Sequence, residues 1–178
     1  METLKEKRQP AADESEFTAA SSMTDVDRQV NTKIASLDQQ GCEHYKCGRF
    51  GECVEVLRVA YQLRRLLLGR FHIDTLLNLN NLAAALGRHG MLPEAEEAFR
   101  EALTGRIEVR GANHPDCFTT MSHLAVVLRQ VGQFEEADVL LYSALEGFHS
   151  QRGVRDICTA EAAFAFGVLA VLQGKRNK

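Results

Sequence analysis

Four side chains that bind metals or carry redox chemistry lie within one short stretch: Cys42, His44, Cys47 and Cys53. Structural zinc takes cysteines as closely spaced pairs brought together from two elements. No Cys-x-x-Cys pair occurs here, and the five cysteines, Cys42, Cys47, Cys53, Cys117 and Cys158, are odd in number, so neither a zinc ribbon nor a disulfide framework is indicated. Small, reduced, mostly buried thiols are the expectation. His123 is of a type that titrates near neutrality, yet no nucleophile or paired carboxylate is set beside it by the sequence spacing. The chain contains no glycine-rich phosphate loop, no His-Glu-x-x-His and no nucleophile elbow. No enzyme activity, metal or cofactor is expected.

Another kind of chemistry is offered by "LNNLAAALGRHG", Leu79 to Gly90, where Asn80 and Asn81 stand side by side in an otherwise apolar helical pattern. Asparagine is a mediocre helix former, often merely solvated. Its amide also carries both donors and acceptors, so it can hold the backbone of an extended peptide without reading side chains. The elements around the pair decide which role it has.

Those elements belong to a chain of 178 residues, 45% hydrophobic, long enough for one domain with a core. A net charge of −3 and scattered Lys and Arg provide no basic stripe, which argues against nucleic acid as a partner. The longest apolar stretch, "AAFAFGVLAVL" from Ala162 to Leu172, is too short for a membrane helix, and no membrane association is expected. The N-terminus mixes acids and bases without an apolar run, unlike a secretory signal, so a cytoplasmic protein is the simplest expectation.

The chain repeats. Gly48, Gly90, Gly132 and Gly174 follow one another at a constant 42 residues. Ahead of the glycine, Leu79, Leu82, Ala83 and Leu86 match Met121, Leu124, Ala125 and Leu128. Behind it, Cys53, Ala95 and Ala137 align, then Leu57, Phe99 and Leu141, then Ala60, Ala102 and Ala144. Apolar residues at intervals of three and four on both sides predict two helices per unit, joined at the glycine. Pro93 suits the first turn of the second helix, and "RGANHPDC" carries Gly111 and Pro115 as a stop and a restart. The run "EAEEAFRE" reads as a wet helix face with a Glu96 to Arg100 pair.

This pattern resembles the tetratricopeptide repeat, with Leu82, Ala83, Leu86, Ala95, Phe99 and Ala102 at its signature places. The 42-residue period with "LNNLA" and "HPD" is most similar to the kinesin light chain type. The resemblance implies an all-α, right-handed solenoid of stacked antiparallel helical hairpins. The expected organisation is a disordered tail over 1–22, an array over 23–174 with units of about 34–73, 74–115 and 116–155, a half unit over 156–174, and a basic end over 175–178. The first helix is expected to start near Thr24, capped by Thr24 or Asp25. Its Gln40, Gly41 and His44 replace the usual Leu, small and aromatic residues, which suits an end unit.

In such arrays the first helices line a concave face, so the resemblance implies a non-catalytic scaffold or adaptor that binds an extended protein segment. The expected groove residues are Asn80, Asn81, Arg88, Thr119, Ser122, His123 and Arg129, with Asp38, Gln39, Cys42, Lys46, Ala84, Val126, Glu161, Phe164 and Ala165 beside them. Only Asn80 and Asn81 match the peptide-holding asparagines of the kinesin light chain type; Ser122 and His123 stand in the next unit. The last helix, about 156–173, is apolar nearly all round. Phe164, Phe166, Val168 and Leu172 therefore form a second candidate surface, for self-association or for a longer array. The alternative function is a structural subunit assembled through that helix into a dimer or larger complex.

Overall fold

A helix that must reverse direction within two residues needs a backbone shape costly to any side chain, and the 42-residue glycine series supplies it. The computed structural model describes residues 25–152. These form six helices: α1 (Asp25–Lys46), α2 (Phe50–Leu68), α3 (Ile73–His89), α4 (Leu92–Arg110), α5 (Pro115–Val131) and α6 (Phe134–Arg152). Gly90, at φ 94° and ψ 4°, ends α3 in the left-handed conformation. Its N–H bonds back to Gly87, and the next N–H, from Met91, reaches the Leu86 carbonyl at 3.0 Å. Gly132 does the same for α5, with Gln133 bonded to Leu128 at 2.9 Å.

The starts of α3 and α5 are capped by a residue type outside the usual set. His72 and His114 each accept, through Nδ1, the N–H of the aspartate two residues on, Asp74 or Asp116, at 3.2 Å. The histidine therefore does at the helix start what a shorter polar side chain does elsewhere. Pro115 follows as the first residue of α5, where no N–H is needed. The cap expected at Thr24 lies outside the described residues, as do the expected tail, half unit and basic end; α1 begins at Asp25.

Each helix packs chiefly on its neighbours in sequence, so the array is a solenoid built by nearest-neighbour stacking. The aligned small residues Cys53, Ala95 and Ala137, and Ala60, Ala102 and Ala144, are fully buried where helices cross. Leu57, Phe99 and Leu141 fill the space between them. Close approach is taken furthest at Gly147, where an added Cβ would run into the Phe118 ring; one period earlier Gly105 lies under Leu76 in the same way. In the first hairpin, Gly41 sits under Leu57 while Gln40 is exposed. None of the described helices is long and apolar enough to cross a membrane.

Outside the core, the expected Glu96–Arg100 pair is present, with Arg100 Nε donating to Glu96 at 3.1 Å. Arg100 also reaches the next unit, donating to both carboxylate oxygens of Glu136 at 2.6 and 2.8 Å. One period earlier Arg58 donates to Glu94 at 3.1 Å. These rungs tie successive second helices together. The hydrogen bonds from Arg100 hold the Glu136 carboxyl below its usual range. A carboxyl depressed on folding contributes stability above its unfolded pKa, and that stability is lost as pH falls through the folded value. Glu136→Gln should therefore lower stability at neutral pH by no more than about 1 kcal/mol, the range of exposed pairs. The difference from the parent should shrink in urea titrations repeated at successively lower pH, as the Glu136 carboxyl is protonated in the folded state.

Candidate functional site

The first helices of the three hairpins, α1, α3 and α5, stand side by side and form one wall. Their inward turns enclose an open groove of about 470 Å³. From α1 come Asp38, Cys42, Tyr45 and Lys46; from α3, Asn80, Asn81, Ala84 and Arg88; from α5, His123, Val126, Val127 and Gln130. Phe99, Leu57 and Cys53 of the second helices reach the floor. Residues four apart on one helix share a face, which is why Asn80, Ala84 and Arg88 form one stripe.

The expected site residues divide. Asn81 is exposed on the groove wall, and its amide makes no hydrogen bond with the described residues. Arg88 is exposed beside it, its guanidinium 5.2 Å from the centre of the Phe50 ring. His123 lines the groove with its ring 5.8 Å from that of Phe99. Asn80 also lines the groove, yet it is only 5% exposed, deeper than its register beside the core stripe suggests. Thr119, Ser122 and Arg129 do not line this cavity. Thr119 and Ser122 turn their hydroxyls back onto their own helix, donating to the carbonyls of Pro115 at 3.2 Å and Phe118 at 3.0 Å. Arg129 lies half-buried outside it. Phe164, Phe166, Val168 and Leu172, with Glu161 and Ala165, fall outside the described residues.

The cysteine cluster does not assemble. Cys53 donates its thiol to the Gly41 carbonyl at 3.2 Å, and His44 Nδ1 lies 3.0 Å from Glu52. Cys53 and Cys117 are buried, and burial raises both thiols above the ordinary range; Cys42 and Cys47 are exposed. Among the described residues no group of His, Cys, Asp and Glu is arranged to hold a metal ion.

Beneath the wall lies a polar triad that helix periodicity did not single out. Arg64 of α2 clamps the Asp38 carboxylate with two hydrogen bonds, one of 2.9 Å, and Asn78 of α3 donates to the same carboxylate at 3.0 Å. Among the described residues Asp38 is the one acid on the groove wall, and its charge is thereby engaged. One period later Arg106 of α4, 3% exposed, donates to the Thr120 hydroxyl at 2.6 Å and the Asp116 carbonyl at 2.8 Å. Burial disfavours its charge and lowers its pKa, against the attraction of Asp116. The signal was legible: Arg64 and Arg106 are 42 residues apart, as are Asn78 and Thr120, at places where the other repeat matches are apolar.

The tetratricopeptide repeat family profile matches residues 42–108 and 90–148, together more than half of the chain. No curated protein matches the sequence. Among solved structures, similarity extends to a kinesin light chain-type protein of nearly identical repeats from Podosopora anserina, at 19% identity and a TM-score of 0.73 over 79% of this chain and 67% of that one. PcrH in complex with the chaperone binding region of PopD superimposes at 16% identity and a TM-score of 0.62, over 80% and 95% of the two chains. The type III secretion translocator chaperone SycD of Yersinia enterocolitica does so at 13% and 0.60, over 92% and 97%. At such identities the structures show a shared fold, and the sequence profile supplies the membership: this chain belongs to the tetratricopeptide repeat family, with the stacked hairpins seen in kinesin light chain-type arrays.

Proposed function

We propose that this protein is a non-catalytic interaction scaffold whose concave groove holds an extended, acidic segment of a partner protein. The observation that carries this reading is the charge of the groove wall. Lys46 and Arg88 line it, whereas Asp38, the one acid among its described residues, is already held by Arg64 and Asn78. Asn81 supplies an amide for the segment's backbone, and Ala84, Val126 and Phe99 supply apolar contact. Support by analogy of fold comes from PcrH, which is in complex with a region of PopD.

The test is fluorescence anisotropy with a labelled twelve-residue peptide alternating glutamate with alanine and leucine, and a counterpart carrying lysine for glutamate. The acidic peptide should bind and the basic one should not. Arg88→Glu should weaken the acidic peptide by roughly tenfold, about 1.4 kcal/mol, and flatten its salt dependence. Equal binding of both peptides, or of neither, overturns the reading.

A further inference from the structure

Among the buried polar atoms without a hydrogen-bond partner in the described residues, which include Thr75 Oγ1 and Asn78 Oδ1, two of opposite kind stand at places that the repeat pairs elsewhere: Asn80 Oδ1, an acceptor, and Arg106 Nε, a donor. Both residues are almost wholly enclosed, so leaving either atom open is costly. The repeat shows what they are for. Asn80 is the 42-residue equivalent of Asp38, and Arg106 that of Arg64. Asp38 and Arg64 are bonded to each other. The third corner of that first triad, Asn78, corresponds to Thr120, which already holds Arg106 Nη1 at 2.6 Å. The two interfaces therefore place equivalent residues at three corners, although Asn78 bonds to the carboxylate of its triad and Thr120 to the arginine. What differs at the first corner is a carboxylate in one and an amide in the other.

We propose that Arg106 is a positioning residue for the groove: its Nε–H pairs with Asn80 Oδ1, holding the Asn80 amide so that Nδ2 is the atom offered to a bound segment. At this corner the wall then presents a donor and no acceptor, backed by a buried cation. Such a corner selects a carbonyl or carboxylate of the ligand. The ligand half of this inference rests on the acidic-segment reading above; the pairing of the two side chains does not. The amide matters because an aspartate at this place would satisfy Arg106 more fully but would face the groove with negative charge. The sequence keeps the weaker partner for Arg106 on the wall that carries Lys46 and Arg88.

The experiment is a double-mutant cycle read by thermal unfolding, with peptide binding measured on the same proteins. Asn80→Asp should raise the melting temperature in the parent, because it recreates the Asp38–Arg64 pair. In an Arg106→Met background it should lower it, because a buried carboxylate then lacks its counter-charge. The same Asn80→Asp protein should bind the acidic peptide at least tenfold more weakly. Gain of stability with loss of affinity is a combination that a merely structural asparagine does not produce. A second measurement needs no Arg106 variant: the Arg106 Nε–H should give a slowly exchanging resonance that shifts in Asn80→Asp and loses its protection in Asn80→Ala. Asn80→Asp acting alike in both backgrounds, or an Arg106 Nε–H indifferent to residue 80, overturns the pairing. If the cycle shows coupling while the parent binds no acidic peptide, the pairing stands and the groove reading falls.

Discussion

Phe99→Ala should lower the free energy of unfolding by about 3–5 kcal/mol, the cost of deleting a large aromatic side chain from a core that cannot collapse onto the space. Phe99 is 1% exposed and belongs to the core that the stacked hairpins share. Around it stand Ala95, Ala98 and Ala102 of its own helix, small residues with no atoms to spare for filling a cavity. The whole stability of a domain is of the order of 5–15 kcal/mol, so one substitution removes a large fraction of it. Urea unfolding followed by far-UV circular dichroism measures the loss. Because an array is held together by neighbour-to-neighbour interfaces, the transition should also broaden as the units on either side of α4 uncouple. Phe99 reaches the groove floor as well, so whatever folded protein remains should bind the acidic peptide less tightly. A loss below about 1 kcal/mol would mean that Leu124, Ala125 or His123 moves in to close the gap, and that the core is softer than its packing shows.

Arg64→Ala comes next in size. Removing one partner of an enclosed ion pair leaves the other charge without compensation, which costs about 3–5 kcal/mol when burial is complete. Here the Arg64 and Asp38 side chains keep 18% and 32% of their exposure, so water screens part of the loss and about 2–3 kcal/mol is expected. Asn78 loses support too, since its Nδ2 donates to the carboxylate that Arg64 holds. A functional effect accompanies the structural one. Asp38 lines the groove, and once released it places an uncompensated negative charge where an acidic segment has to lie. The acidic peptide should weaken by roughly tenfold, about 1.4 kcal/mol. Asp38→Asn combined with Arg64→Met removes both charges, and should restore most of the stability and the binding. If the single and double variants bind alike, Asp38 does not face the bound segment.

Much of this is legible in the sequence. The 42-residue spacing of Gly48, Gly90 and Gly132 marked the hairpin turns, because only a residue without a side chain adopts that backbone shape cheaply. The alignment of Cys53, Ala95 and Ala137, and of Leu57, Phe99 and Leu141, marked the core, because burial imposes size and polarity at fixed helical intervals. Both properties are local and periodic, and one chain with internal repeats displays them several times over. The histidine caps escaped notice although "HID" and "HPD" repeat at 42 residues, because histidine is outside the ordinary set of capping residues.

The groove was legible only in outline. A helical register says which side chains share a face, and it set Asn81, Arg88 and His123 on the inner wall together with Thr119, Ser122 and Arg129. It does not say how deep each lies, or that a hydroxyl turns back onto its own helix. Depth depends on how closely neighbouring helices approach, as Asn80 shows: it shares its helix with Asn81, yet lies beneath the surface while Asn81 stands out on it. By itself, then, the sequence determined a repeat of helical hairpins, their turns and their apolar seams, since these follow from backbone freedom and burial within a few turns of chain. The tertiary structure decided which polar groups meet. Asp38 finds Arg64 across 26 residues and Asn78 across 40, and Arg106 crosses 14 residues to Thr120, because stacking brings three helices to one point. Charge and hydrogen bonding act over a few ångströms of space, and periodicity along the chain carries no record of that distance.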